Sequence, residues 1–376
     1  MKFIHLSDLH IGKRVNEFSM INDQKYILEQ ILNIIANEEI NAVIVSGDVY
    51  DKSIPAVEAV TVFDDFLTEL ATKDITTLII SGNHDSPERL GFGSKIMQNN
   101  GVHIYSVFDG ELHKVKIDDV NFYMLPFVKP IMVRRFYPEV ETYEDAVRAI
   151  IENTDIDKSQ KNVILSHQFI TKTGAETMRS DSESVSVGGL DNIDISVFDD
   201  FDYTALGHIH RPQALMKDRI IYAGALEPID RNDVGPHGYV KGEITEAGVH
   251  TQWIPCAMRS YIHLEVPVNT EDTMGSVRKK ILEAVKDYGA ENMYKIILTG
   301  YRDPDLRFDT ERMDRDGNLL EVIDETASQY DMEELLQENE GNLLGEYIRR
   351  FKDCEKDSIE YQALYEGVEV LLKNKG

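Results

Sequence analysis

Five short polar clusters hold most of the residues able to do chemistry: DLH (residues 8–10), GDVYD (47–51), GNHD (82–85), SHQ (166–168) and GHIH (207–210). Each closes an apolar run, and together they offer Asp, Asn and His without any Cys. Oxygen and imidazole donors of this kind suit Mn²⁺ or Fe²⁺, with Zn²⁺ or Mg²⁺ less favoured. Asp8 and His10 are two positions apart, so on an extended strand their side chains share a face, and His208 and His210 repeat the spacing. Gly47, Gly82 and Gly207 let the backbone bend and come close to an ion or a phosphate. Asp48 has two carboxylate oxygens and can bridge two cations. Two cations about 3.5–4 Å apart can clamp the attacking and leaving oxygens of a phosphoester displacement. A lone histidine after a strand is ordinarily a packed or solvated side chain, and a lone GNHD an Asx turn. Five clusters drawn from the same three residue types, all at strand ends, point instead to a dinuclear metal site.

The elements that must position these clusters are legible as periodicity. Apolar runs predict strands over residues 2–7, 42–46, 76–81 and 102–106. Helical spacing, with Pro55 at a helix start, predicts helices over 23–39, 55–73 and 87–99. This alternation predicts a largely parallel sheet with helices on its faces. Ligands then gather beyond the carboxyl ends of the strands, where the clusters fall. From residue 113 the pattern becomes hairpin-like over 113–125, with an acidic helix near 143–153 and strands over 162–166, 202–207 and 219–224. Residues 171–194, rich in Ser, Gly and Thr, read as a long surface loop or a lid. A hairpin over 238–254 closes this part. The character changes near 257–260, where a strand (260–268), a helix (274–288) and a strand (293–301) predict a small α/β module. Beyond residue 331 the chain reads as charged, amphipathic helices.

A chain of 376 residues suggests two domains, or one large domain with an appendage. A hydrophobic content of 42% supplies a core and excludes wholesale disorder. Cys256 and Cys354 form no CxxC pair, which excludes a disulfide framework and a zinc knuckle and predicts an intracellular chain. No leader and no apolar run approaching ~20 residues is visible, so a soluble cytoplasmic protein is expected. The net charge of −28 opposes nucleic-acid binding unless the acid lies away from the working face. From residue 301 to 376, 21 Asp and Glu stand against 10 Lys and Arg, so the acid excess is visible in the tail, which carries 11 of the 28 net negative charges.

The series DLH, GDVYD, GNHD, H and GHIH resembles the five-motif pattern of the calcineurin-like metallophosphoesterases over about residues 1–224. HLSDLHIGKR, SGDVYDKS, SGNHDSPERL, LSHQ, GHIHRPQ and YAGALEP, with LTGYRDPDLRF and the helical tail, extend a likeness to the SbcD-type nuclease subunits over nearly the whole chain. The resemblance implies an α/β fold, an α+β four-layer β-sandwich flanked by helices, with a small α/β capping module and a helical C-terminal tail. It divides the chain into a nuclease domain (1–256), a capping domain (257–307), and a linker with partner-binding helices (308–376). It implies two divalent metal ions, Mn²⁺ foremost with Fe²⁺ or Mg²⁺ as alternatives. Asp8, His10, Asp48 and His210 would hold the first. Asp48 (bridging), Asn83, His167 and His208 would hold the second. His84 would face the scissile phosphate as proton donor or charge stabiliser, and Asp85 would orient His84. Lys13, Arg14, Lys52, Arg89 and Arg211 flank the motifs as candidate DNA phosphate contacts, or are ordinary solvated cations. The implied activity is Mn²⁺-dependent exonuclease and endonuclease cleavage in DNA repair and recombination. The implied partners are DNA, an SbcC-like ATPase docked through the C-terminal helices, and a second copy of the chain in a heterotetramer. The apolar stripe of those helices could equally pack on its own domain. Other readings are a phosphoesterase for small substrates and a non-catalytic scaffold for the ATPase.

Overall fold

The computed structural model describes residues 1–15, 18–172, 191–230, 233, 235–289, 291–310, 313, 318–351, 354–355 and 358–373. Most of the loop or lid expected over 171–194 lies outside the described residues. The chain forms two compact units, Met1–Ser260 and Tyr261–Gly376. The segment expected as capping domain (257–307) starts four residues before the division, and the rest of it falls in the second unit with the C-terminal helices.

The first unit is built on two six-stranded sheets. One runs, in spatial order, Gly248–Pro255, Gly238–Thr245, Lys2–Leu6, Ala42–Ser46, Thr76–Ile80 and Val102–Tyr105. Its last four strands are parallel, and Gly238–Thr245 pairs antiparallel with Lys2–Leu6. The other runs Gln213–Met216, Ile220–Tyr222, Tyr203–Gly207, Lys161–His167, Val120–Leu125 and His113–Ile117. Its four central strands are parallel and its two edges antiparallel.

The period of two along each strand decides what each face meets. Phe3, Ile44, Leu78 and Ile80 of the first sheet meet Phe122, Met124, Val163, Leu165, Tyr203 and Ala205 of the second in one core. The alternate residues Ile4, Leu6, Val43, Val45 and Ile79 face outward onto helices Ile21–Asn37 and Val57–Thr72. Those helices present Ile27, Leu28, Ile31 and Ile35, and Val62, Phe63, Phe66 and Leu70, at helical spacing. The outer face of the second sheet takes helix Tyr143–Glu152, whose Thr142–Asp145 capping box fixes its start. The order is helix, sheet, sheet, helix. The expectation of helices on both faces of one sheet is corrected: among the described residues each sheet has helices on one face and the other sheet on its second. A strand buried under a helix and one buried under a sheet need the same apolar run, so alternation cannot separate them.

The helix expected over 87–99 is also corrected. It is two short pieces, Pro87–Leu90 and Ser94–Met97, with a 3₁₀ turn at Gln98–Asn100. Gly91 and Gly93 interrupt it, the latter at φ +77°.

The second unit holds parallel strands Tyr261–Val268, Met293–Arg302 and Leu319–Asp324 under helix Met274–Tyr288, which contributes Val277, Ile281 and Val285. Helices Met332–Glu338, Leu343–Arg350 and Ile359–Lys373 gather around Leu344, Ile348, Leu364 and Val368. Asp331 and Asn342 cap two of them through side-chain oxygens. Leu335, Leu336, Tyr347, Phe351, Tyr365, Leu371 and Leu372 pack against the same core, so much of the predicted stripe is covered within the unit. Leu343, Ile359 and Val370 remain exposed. Cys256 in the first unit and Cys354 in the second are free thiols. Among the described residues no helix is long and apolar enough to cross a membrane.

Candidate metal centre

Loops from both sheets meet just past the carboxyl ends of Lys2–Leu6, Ala42–Ser46, Thr76–Ile80, Lys161–His167 and Tyr203–Gly207. The Asp8 N–H donates to the Gly47 carbonyl at 3.1 Å and the His10 N–H to that of Asp48 at 3.0 Å. The Asp8 carboxylate accepts the His208 N–H at 3.0 Å, tying the two sheets together. Asp8, His10, Asp48 and His208 stand at φ +51°, +42°, +50° and +97°. The expectation that Asp8 and His10 share a face of an extended strand is therefore corrected. The strand ends at Leu6, and each ligand is aimed by a left-handed turn. Such backbone costs roughly 1–3 kcal/mol per residue and persists where surrounding structure fixes it.

The potential ligand atoms of Asp8, His10 and His210 lie within 4.8 Å of one another, as do those of Asp8, Asp48 and His167. All five side chains are buried. Asp48 Oδ2 lies 3.3 Å from His167 Nε2 and 3.7 Å from His10 Nε2, so one oxygen faces both groups. Asn83 Oδ1 lies 3.0 Å from His167 Nε2 and 2.9 Å from His208 Nδ1. The seven residues expected as ligands thus converge. His167 Nδ1 donates to the Ser46 carbonyl at 2.7 Å, which leaves Nε2 aimed into the centre.

The donor set fits two cations. Both ring nitrogens of buried His10 lack a hydrogen-bond partner among the described residues. Burial pushes His10 down to about 3 and His210 well below the imidazole range, which favours the neutral form of both rings, the form that can ligate a cation. Burial pushes the Asp8 carboxyl up to about 6, and the neighbouring Asp48 charge adds to the shift. Burial opposes ionisation of Asp48 too, but His167 beside it prevails and holds it well below the carboxylate range. Burial likewise opposes charge on His167, yet Asp48 brings it up to about 9. One imidazolium facing two buried carboxylates is a poor balance, which divalent cations would correct.

His84 is exposed on the rim, its ring 4.9 Å from that of His10, and its N–H donates to Asp48 Oδ1 at 2.8 Å. The expected role of Asp85 in orienting that ring is corrected. The Asp85 carboxylate accepts the N–H groups of Val49, Tyr50 and Gly82 at 3.1, 3.0 and 2.9 Å, stapling one ligand loop to the next. The His84 ring instead meets the Asp51 carbonyl, with Nδ1 at 3.3 Å. Of the candidate phosphate contacts, Lys13 pairs with Asp51 at 3.0 Å and Arg89 donates to the Ser53 carbonyl at 2.8 Å. Lys52, exposed, lies between those anchor points, so three cations flank the loop that His84 touches. Arg14 is exposed. Arg211 is half-buried, near Asp233 and His237, rather than solvated. Sequence reading missed Asp51, although it stands in a quoted cluster, and Gln24, a polar residue inside a helix that gave no signal.

Fold and centre together define a metallophosphoesterase-type hydrolase. The chain matches the calcineurin-like phosphoesterases over residues 1–212, more than half its length, and belongs to that family. Among solved structures it is similar to a dimetal phosphatase from Danio rerio, at 12% identity and a TM-score of 0.39, over 68% of this chain and 99% of that one.

Proposed function

We propose that this chain is an SbcD-like nuclease subunit that hydrolyses DNA phosphodiesters with Mn²⁺. The observation that carries the reading is the placement of His84: an exposed imidazole beside seven converging candidate ligands, five of them buried, on a loop flanked by Lys13, Lys52 and Arg89. Bound cations would supply a nucleophilic water at neutral pH and offset charge on the phosphoryl oxygens. The protein's own groups do the rest. Asp48 and Asp8 hold the centre's negative charge, Asn83 and the four ligand imidazoles complete the cradle, and His84 donates to an oxygen of the reacting phosphate. The three cations seat neighbouring backbone phosphates, which counters the global charge locally. An SbcC-like ATPase would dock on the exposed apolar residues of the helical bundle. Ile54, Val57, Val60, Phe92 and Ile96, all exposed, would meet a second copy of the chain.

The test compares wild type and His84→Ala on single-stranded and hairpin DNA, beside a chromogenic phosphate ester, in Mn²⁺. Cleavage of DNA should fall by about 10²–10⁴ in the variant, with metal content unchanged. DNA cleavage by His84→Ala at the wild-type rate would remove the role given to His84. A wild type that turns over only the chromogenic ester would make the chain a small-substrate phosphoesterase.

A further inference from the structure

We propose that Gln24 and Glu227 are positioning residues for the first cation position, holding the His10 and His210 loops in register. The proposal rests on the dinuclear reading of the centre. Gln24, 4% exposed, lies in the first turn of helix Ile21–Asn37. Its Nε2 donates to the His10 carbonyl at 3.0 Å and to Glu227 Oε1 at 2.8 Å, while its Oε1 accepts the Gly12 N–H at 2.9 Å. The amide has one workable orientation, because a flip would set N–H against N–H at Gly12 and oxygen against oxygen at His10. Gly12, at φ +91° with the Ala59 methyl 2.9 Å from where a Cβ would sit, leaves that loop little room to reshape. Glu227, 2% exposed, follows Ala225 by two residues, and the Ala225 N–H donates to the His210 carbonyl at 2.8 Å. A continuous path thus runs from the His10 carbonyl through Gln24 and Glu227 to that of His210. The two rings it serves are 5.1 Å apart at 82°.

Neither residue touches the ligand atoms, and the proposed chemistry uses neither. A buried polar pair is costly where apolar residues would pack as well. Glu227 even keeps one buried carboxyl oxygen without a hydrogen bond among the described residues. Burial pushes its carboxyl well above the usual range, with Asp23 adding to the shift, and a glutamine has the same shape and keeps an oxygen that can accept from Gln24.

The test uses the full chain and Mn²⁺ alone, by titration calorimetry and electron paramagnetic resonance. Wild type should bind two Mn²⁺ with an exchange-coupled spectrum. Gln24→Ala and Glu227→Ala should weaken one Mn²⁺ about 10–100-fold and show the six-line spectrum of an isolated ion. Glu227→Gln can still accept from Gln24 and should match wild type. Gln24→Glu keeps the shape without the two donated bonds, so it should behave like Gln24→Ala even if an alanine variant fails to fold. Unchanged affinities and coupled spectra in Gln24→Glu would overturn the proposal, as would Glu227→Gln losing an ion. A wild type that binds no second Mn²⁺ would overturn the dinuclear reading instead.

Discussion

His5 sits three residues before the first ligand and has a different fate from the histidines that follow. It is fully buried between the sheets, its Nδ1 2.9 Å from the Tyr203 hydroxyl. Burial pushes it down to about 3. Above pH 6.5 both folded and unfolded states are neutral at this residue. Between pH 6.5 and 3 the unfolded chain takes a proton that the folded chain refuses, so stability falls as pH falls, by up to about 1.4 kcal/mol per pH unit. In metal-free buffer, the slope of urea-unfolding stability against pH should therefore be shallower in His5→Gln than in wild type over that window. Identical slopes would mean that His5 is not held neutral. The same scale shows what sequence can and cannot reveal. The donor types at Asp8, His10, Asp48, Asn83, His167, His208 and His210 were legible because Asp, Asn and His gather there in short clusters directly after apolar runs. The left-handed turns that aim four of them were not, because a non-glycine residue at positive φ leaves no mark in a pattern of apolar spacing.

At the scale of elements, close approach between the sheets decides the centre's shape. Gly207 ends a strand of the second sheet against the Ser46 carbonyl of the first, and a Cβ there would collide with that oxygen and lie 2.8 Å from His167 Nδ1. The same carbonyl orients His167. Gly207→Ala should therefore cost about 1–3 kcal/mol by overpacking and also weaken Mn²⁺ binding. Thermal melts and Mn²⁺ titration check both effects, and normal behaviour in each would show that the sheets can separate freely. Strands such as Ala42–Ser46 and Thr76–Ile80 were legible as unbroken apolar runs. Leu319–Asp324 was not: LLEVID is only half-buried and ends in acid, so it reads as linker until its partner strand is known. The helix over 87–99 failed for a local reason, since the glycines at 91 and 93 outweigh the apolar spacing of Leu90 and Ile96.

At the scale of the molecule, the chain forms two units with separate cores. The helical bundle satisfies most of its own apolar stripe, which sequence alone could not settle, and leaves Leu343, Ile359 and Val370 exposed at 67%, 82% and 56%. Replacing those three with Glu should leave the far-ultraviolet circular dichroism and Mn²⁺ binding intact while abolishing co-purification with an SbcC-like ATPase. Retained co-purification would remove these three residues as a docking surface. The cysteines divide in the same way, one thiol to each unit. Burial pushes Cys256 up to about 12, so at neutral pH it is a poor nucleophile, whereas Cys354 lies half-buried among the bundle helices. The native chain thus carries one thiol on each unit, so replacing Cys256 with Ser would leave Cys354 as a single attachment point for a fluorophore on the second unit.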